Sequence, residues 1–315
     1  MHPALSIVFF TTASGAGFGL LLLLGLSAPL GWLPDSGWFA FVALATAAVL
    51  AVGGLGSSVF HLGRPERSWR AFSQWRSSWL SREGVFAALT FLPAIIFGIG
   101  WVFFSARQGF VGLCGVIAAA LAAGTLYCTG MIYASLKPIH QWHNSWVVPS
   151  YLALGLMSGL LILDFLVRLW GGRAISLGLI ALASVLLAWW IKERYWIFID
   201  TTSARSTVPS ATALGSRGRV RMFEAPHTQD NYLLKEMGFQ IARKHARRLR
   251  LIARLTGFII PALGSLIAAV VVGVPGTAAA GVAAVSAALG LVVERWLFFA
   301  EAKHTVSLYY GAEAV

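Results

Sequence analysis

Eight long apolar segments constrain the fold of this chain more than any other feature. They span approximately residues 5–28, 38–62, 83–105, 110–136, 146–170, 174–198, 250–272 and 276–299. A helix needs about 20 apolar residues to cross the hydrocarbon layer of a bilayer, and each segment is long enough. Charged residues make up only 11% of the chain, too few to cover a water-facing surface. The sequence therefore predicts an all-α integral membrane protein with eight transmembrane helices.

The positive charges are distributed unequally between the two ends of these helices. An even number of spans puts both termini on one face, which we call the basic face, together with the connections 63–82, 137–145 and 199–249. Of the 24 Lys and Arg residues, 21 map to the basic face and three to the opposite face. Those three are Arg107, Arg168 and Arg173. Because Lys and Arg accumulate on the cytoplasmic side, we predict a multi-pass protein of the inner (cytoplasmic) membrane with both termini in the cytoplasm.

Two of the connections are longer than turns. Residues 63–82 hold five arginines and three tryptophans, and residues 199–249 are polar and basic. From Asn231 to Arg254, apolar residues recur among lysines and arginines at helical spacing. We predict an amphipathic helix there, lying at the membrane surface before the chain re-enters the bilayer.

The cysteines and histidines limit the redox centres that the chain can hold. Cys114 and Cys128 lie in one predicted helix, about 21 Å apart at 1.5 Å per residue, which is too far for a disulfide. Two cysteines are also too few for an iron–sulfur cluster, which usually takes four thiolates. All seven histidines map to the basic face, which excludes a cytochrome b with haems on both sides of the membrane. A single haem remains an alternative, with His61 and one other ligand. The candidates for that ligand are His140, His143 and His304.

Titratable side chains near the bilayer are functional candidates because charge is costly there. His61 is predicted to end the second span and Glu83 to begin the third, so the connection between them brings both to the basic face. A histidine beside a carboxylate suits a reaction that moves protons to or from a lipid-soluble molecule. The alternative for Glu83 is structural, since the helix dipole stabilises an acidic residue in a first turn. Asp164 and Arg168, four residues apart on one helix, are predicted to neutralise each other.

Three motifs carry a resemblance to a known family. They are His61-Leu62-Gly63-Arg64-Pro65, the Ser-x-Leu-Ser-x-Glu pattern from Ser78 to Glu83, and Glu294-Arg295 with His304 beyond it. Over its whole length the chain resembles the membrane-anchor subunits of dimethyl sulfoxide reductase-type molybdoenzymes, within the broader polysulfide reductase and nitrite reductase quinone-reactive family. Its opening, MHPALSIVFFTTASGAGFGLL, and the basic insertion 199–249 most resemble the anchor of cytoplasmic sulfite-oxidising enzymes.

The resemblance implies a fold and a set of partners. The fold would be two antiparallel four-helix bundles, residues 1–145 with a quinone site and residues 146–315 with the insertion 199–249. The chain would hold no haem or metal of its own. Iron–sulfur clusters would belong to a subunit that docks on the basic face, and molybdenum bis(pterin guanine dinucleotide) to a catalytic subunit bound through it.

The resemblance also implies roles for individual residues. His61 and Glu83 align with the histidine and glutamate of the family's quinol site, and Arg64 lies where it could polarise a quinone oxygen. Glu294 and His304 are secondary candidates for binding the quinone. We expect His61 to relay protons to ubiquinone or menaquinone, and Glu83 to connect the site with the basic face.

The predicted function is electron transfer between a partner iron–sulfur subunit and the membrane quinone pool, in a quinone-reducing, sulfite-oxidising complex. A quinol-oxidising anchor of a dimethyl sulfoxide reductase would run the same site in reverse, and a purely structural anchor would need only the spans and a docking surface. A secondary transporter is disfavoured because the sequence shows no clear internal repeat. Nucleic acid is excluded as a partner because the chain offers no soluble basic domain.

Overall fold

Eight long helices make up most of the structure. The computed structural model describes residues 4–59, 64–172, 175–203, 206–218, 220–221, 223–224 and 241–310, with the backbone alone for 241–244. Within these residues eight helices are long and apolar enough to cross a membrane, which confirms the predicted number of spans. The first six are α1 (Leu5–Ser27), α2 (Gly37–Val59), α3 (Trp79–Phe104), α4 (Gly109–Ala134), α5 (Val147–Leu169) and α6 (Ile175–Thr201).

The later helices include one that changes its pitch. They are α7 (Val208–Thr212), α8 (Ile241–Arg254), a π-helical turn (Leu255–Ile259), α9 (Ile260–Val270) and α10 (Val274–Ala300). The seventh span comprises His245–Val270 and α10 is the eighth. Short 3₁₀ helices lie in the described connections at Pro65–Phe72, Gly215–Arg217 and Thr305–Tyr310.

The third span begins four residues earlier than predicted. Its first residue is Trp79, because the Ser78 hydroxyl accepts a hydrogen bond from the Ser81 backbone N–H (3.4 Å) and caps the helix there. Glu83 therefore lies beyond the first turn, where the helix dipole contributes little. The structural alternative for Glu83, stabilisation at a helix start, does not apply.

The seventh span also differs from the prediction, because the described part of the amphipathic segment is not a separate surface helix. The backbone is helical from Ile241 to Val270 without interruption. Pro261 explains the π-helical turn in the middle, since a proline ring clashes with the carbonyl group four residues earlier and the helix widens before it. Residues 241–254 therefore extend the seventh span, while residues 231–240 lie outside the described part of the chain.

Helix α1 is the most enclosed of the eight spans. It packs against α2, α4 and α5, and also contacts α10. Glycines make two of these contacts close: a Cβ atom on Gly19 would lie 2.0 Å from the Gly155 carbonyl oxygen of α5, and one on Gly17 would lie 2.4 Å from the Ala51 nitrogen of α2. Small residues at such interfaces let helix backbones approach each other. Helix α1 thereby joins the first four spans to the last four.

The other spans contact one another mainly in chain order. Helix α2 contacts α3, α3 contacts α4, α5 contacts α6, α6 contacts α9, and α9 contacts α10, which returns to α5. Because α1 and α4 also pack against α5, the division into separate units at residue 145 stays a prediction.

Contacts between connections define the two ends of the molecule. At one end, the Arg107 guanidinium lies 3.1 Å from the Asp35 carboxylate. At the other, the Thr305 backbone N–H donates to the Pro138 carbonyl oxygen (3.0 Å), and an isolated β-bridge pairs Ile139 with His304. This second end carries the connections that the sequence assigns to the basic face.

Candidate functional site

A cavity of about 770 Å³ lies among the first four spans, at the ends of these helices that meet the basic face. Its wall includes Phe10 of α1, Leu55 of α2, Glu83 of α3 and Tyr133 of α4, and the 3₁₀ helix Pro65–Phe72 completes it. Most of the lining side chains are apolar, with a few polar groups among them. A cavity of this size and character is typical of a site for a small organic molecule.

Glu83 is the buried acidic group of the cavity. The residue is 3% exposed, and the Thr129 hydroxyl of α4 donates a hydrogen bond to its carboxylate. Among the described residues, no Lys or Arg forms an ion pair with Glu83. A carboxyl group held in this way, beside an apolar cavity, is placed to exchange a proton with a bound molecule.

The connection between α2 and α3 folds over the cavity. Arg64 directly precedes the 3₁₀ helix, and Arg64, Arg67 and Trp69 all line the cavity. Both arginines are exposed on their other side. The cavity therefore has cations at its basic end and an acidic group deeper inside.

Arg82 fixes this connection to the start of α3. Its Nε donates to the Trp75 carbonyl oxygen (3.0 Å) and its Nη2 to the Arg76 carbonyl oxygen (2.7 Å). The Arg82 guanidinium also lies 4.2 Å from the centre of the Trp79 ring, a cation–π contact. The arginines and tryptophans of residues 63–82 thus contribute to local structure as well as to charge.

His61 lies outside the described residues. The described residues on either side of its segment, Val59 and Arg64, both line the cavity. Of the residues predicted for the quinone site, the structure brings Glu83 and Arg64 to one cavity.

Glu294 lies away from the cavity wall, in a buried cluster of charges. Its carboxylate forms an ion pair with the Lys192 ammonium group of α6, and Arg295 Nη1 lies 3.6 Å from the Glu294 Oε2 atom. Glu294 and Lys192 are each 1% exposed. Charges buried this deeply need partners, because an isolated ion is strongly disfavoured away from water.

Two tyrosines join this cluster to the cavity. Tyr133, in the cavity wall, stacks on Tyr151 with ring centroids 5.5 Å apart. The Arg295 guanidinium lies 3.7 Å from the centre of the Tyr151 ring. The buried cluster is therefore linked to the cavity through side chains in contact, although Glu294 does not line it.

His304, the other secondary candidate, lies in the connection after α10 and does not line the cavity. Its Nδ1 accepts a hydrogen bond from the Val306 backbone N–H (3.0 Å). Partial burial lowers the pKa of His304, which agrees with an unprotonated Nδ1.

Further ion pairs at the basic end join three spans. Arg250 pairs with Asp200 (2.6 Å) and with Glu301 (2.9 Å), and Arg254 Nη2 donates to Glu193 (2.8 Å). Burial raises the pKa of Glu301 even though Arg250 lies beside it. These pairs fix the basic end of the seventh span against the sixth and the eighth.

Two important residues were missed by the sequence analysis. Lys192 lies inside the predicted segment 174–198, and a lysine within a span is itself a signal of function or pairing. Thr129 gave no signal, since a threonine in a membrane helix commonly bonds to its own backbone, as Thr129 also does to Thr125 (3.0 Å). The Asp164–Arg168 pair is confirmed at 2.9 Å.

The cysteines and the possible metal ligands are arranged as follows in the described part of the chain. Cys114 and Cys128 are both buried, and they are not joined in a disulfide, which agrees with their spacing. Within the described ranges, no three His, Cys, Asp or Glu side chains are grouped as metal ligands would be.

Comparison with known proteins identifies the class to which this molecule belongs. The family model for the DMSO reductase anchor subunit (DmsC) matches residues 1–302, and the chain belongs to this family of inner-membrane anchor subunits. It is 33% identical to a sulfite dehydrogenase subunit of Allochromatium vinosum, over an alignment of 339 positions that covers the whole of both chains. The resemblance seen in the motifs is confirmed, and the chain is a subunit of an oxidoreductase complex of this type.

Proposed function

We propose that this chain transfers electrons between a partner iron–sulfur subunit and the membrane quinone pool, as the anchor of a sulfite-oxidising molybdoenzyme. The observation that carries the proposal is the largely apolar cavity in which Glu83 is buried without an ion pair among the described residues. The name of the similar protein, a sulfite dehydrogenase subunit, favours sulfite as the substrate of the catalytic partner. Electrons from sulfite would then reduce a quinone in the cavity.

Quinone reduction consumes two electrons and two protons, and the residues around the cavity suit the proton part. Glu83 would donate a proton to one quinone oxygen while Thr129 holds its carboxylate in position. Arg64 would polarise a quinone oxygen from the basic end. His61 would relay replacement protons, since its segment is bounded by two residues that line the cavity. These roles revise the expectation from the sequence, in which Glu83 connects the site with the basic face, because Glu83 is buried in the cavity wall.

The electrons would enter from the basic face. Exposed arginines lie in the connection between α2 and α3, which covers the cavity, and at the start of the seventh span. They would offer a docking surface to an iron–sulfur partner of complementary charge. They are Arg64, Arg67, Arg70, Arg76, Arg247 and Arg248. The molybdopterin subunit would bind through that partner. Ubiquinone and menaquinone are both chemically suited to the cavity.

Substitution of Glu83 and His61 tests the proposal. In the purified complex, we expect Glu83→Gln and His61→Ala to lower sulfite-dependent quinone reduction by roughly 10²-fold or more, because each removes a proton donor. Sulfite oxidation with an artificial dye, which takes electrons before they reach this chain, should be retained. Both rates are measured by steady-state spectrophotometry.

Glu66→Gln is the matched control, since Glu66 lies in the same connection but is exposed and does not line the cavity. It should leave both rates unchanged. Quinone reduction that survives in both cavity variants would refute the assignment of the site. Absence of sulfite turnover with dye in the parent complex, alongside activity with a sulfoxide, would instead refute sulfite oxidation.

The quinone content of the purified complex distinguishes the proposed function from a purely structural anchor. Under the proposal, the complex purified in mild detergent retains quinone, together with molybdenum and iron from the partner subunits. We expect Glu83→Gln to lower the amount of bound quinone, which is measured by solvent extraction and chromatography. Molybdenum and iron without quinone in the parent complex would favour a structural role.

A further inference from the structure

A second cavity of about 320 Å³ forms an open groove between α2 and α3. Leu21 of α1 lies at its floor, Phe41 and Ala48 belong to one wall, and Phe91 and Ile99 belong to the other. Every residue that lines the groove is apolar, so its side chains offer no hydrogen bond to an occupant. The groove therefore fits a hydrocarbon chain.

The groove and the 770 Å³ cavity share the same faces of the same helices. On α2, Ala51 lines the groove and Leu55 lines the cavity, one turn or about 6 Å further along the helix. On α3, Gly84 lines the cavity and Phe91 the groove, two turns or about 10 Å apart. Residues separated by three, four or seven positions lie on one side of a helix. Cavity and groove are thus two parts of one seam.

The seam exists because α2 is held against α1 rather than against α3. A Cβ atom on Gly54 would lie 2.5 Å from the Ser14 nitrogen of α1, so α1 and α2 approach closely along this stretch. Helix α2 packs much less extensively against α3 than against α1. Ile95 and Ile99, on the α3 side of the groove, are 57% and 50% exposed. The groove is therefore open to the surrounding lipid.

We propose that this groove holds the isoprenoid tail of the quinone whose head group occupies the cavity. This inference rests on the proposed function. A membrane quinone joins a polar ring to a long apolar tail, so a site that holds the ring between helices must also give the tail a path to the lipid. The groove lies beyond the cavity on the same faces of α2 and α3, is lined by apolar residues alone, and opens sideways to the bilayer. Along α2 it extends from Phe41 to Ala51, about 15 Å.

Photolabelling of the intact complex tests where each part of the quinone lies. Two analogues are used, one with a photoreactive group on the ring and one with a diazirine near the end of a long tail. We expect the ring probe to label peptides at the cavity, around Glu83, and the tail probe to label groove residues such as Phe41 and Ile99. Labelled residues are identified by mass spectrometry, with excess unlabelled quinone as competitor.

Variants that fill the groove provide an independent test. Ala48→Phe on α2 and Gly98→Leu on α3 should lower kcat/KM for a long-tailed quinone by roughly tenfold. The larger side chains would occupy the groove, so the tail would lose its packing against α2 and α3. A short-tailed quinone with the same ring should be reduced at the parental rate. Val49→Phe is the control, since Val49 is the next residue on α2, 70% exposed, and outside the groove.

The outcomes separate this inference from the proposed function. Ring labelling at the cavity together with tail labelling elsewhere would overturn the groove assignment and leave the quinone site standing. An equal response of long-tailed and short-tailed quinones in the groove variants would do the same. Ring labelling away from the cavity would overturn the proposed quinone site itself.

Discussion

The buried glutamates Glu83 and Glu294 differ in the charges that surround their carboxylates. Among the described residues, Glu83 has one side-chain partner, the Thr129 hydroxyl, and faces an apolar cavity, whereas Glu294 is held by Lys192 and Arg295 in a closed cluster. A carboxylate fixed by two cations is costly to protonate or move, because its removal would leave buried charges unpaired. Glu83 is therefore the better proton donor, and Glu294 the better structural group.

The buried ion pair gives a prediction at the scale of single residues. We expect Lys192→Met to destabilise the protein by about 3–5 kcal/mol, since it leaves the Glu294 carboxylate with Arg295 alone. Adding Glu294→Gln to that variant should cost much less than Glu294→Gln in the parent, because contacting residues are not additive. Thermal unfolding in detergent measures both effects.

Lys137→Met is the control for this cycle, because Lys137 is exposed in the connection after α4. Its midpoint of unfolding should match that of the parent. Equal costs for Glu294→Gln in both backgrounds would show that Lys192 and Glu294 do not stabilise each other.

At the scale of helices, α1 joins the two parts of the chain. Its glycines have different surroundings although they recur at regular spacing: Gly19 is pressed against the α5 backbone, whereas a Cβ atom on Gly15, one turn earlier, would have nothing within 4 Å. The sequence spacing alone makes the two glycines equivalent. Only the packing of α5 distinguishes them.

This difference gives a prediction for the interface between α1 and α5. Gly19→Ala should destabilise the protein by roughly 1–3 kcal/mol, because the added methyl group would overlap the Gly155 carbonyl oxygen. Gly15→Ala adds the same methyl group to open space and should not destabilise the protein, because alanine favours a helix over glycine by roughly 0.5–1 kcal/mol. Fluorescence-detected gel filtration after heating compares the two. Equal losses would contradict the close contact between the helices.

The two ends of the molecule differ, because the long and strongly charged connections lie at the basic face and the connections at the opposite face are short and carry few charges. At the opposite face Arg107 is paired with Asp35, while exposed arginines cluster at the basic face near the cavity. Under the proposed function, a docking surface and a proton-exchanging cavity on one face would shorten the path between an iron–sulfur partner and a quinone. The function that we propose depends on this placement.

The orientation of the molecule in the membrane can be tested with fusions. Alkaline phosphatase, which is active only outside the cytoplasm, should be inactive when fused at the C-terminus or within residues 137–145. It should be active when fused after Arg107. A fluorescent protein at the same positions should give the opposite pattern. Phosphatase activity at the C-terminus would reverse the predicted orientation.

The sequence by itself determined the number of spans, the face that carries the cations, and the family. The number of spans follows from length and polarity alone, because each crossing needs about 20 apolar residues whatever packs around it. The HLG and Ser-x-Leu-Ser-x-Glu motifs pointed to Glu83 and Arg64, and both line the cavity.

Only the tertiary structure decided which faces of the helices meet. Thr129 reaches Glu83 from another helix, and Lys192 reaches Glu294 from a distant part of the chain. In a membrane protein the lipid-facing side of a helix is as apolar as its buried side, so the pattern of apolar residues does not reveal the inner face. The partners of the buried charges, the groove between α2 and α3, and the close contact at Gly19 therefore became visible only in the packed structure.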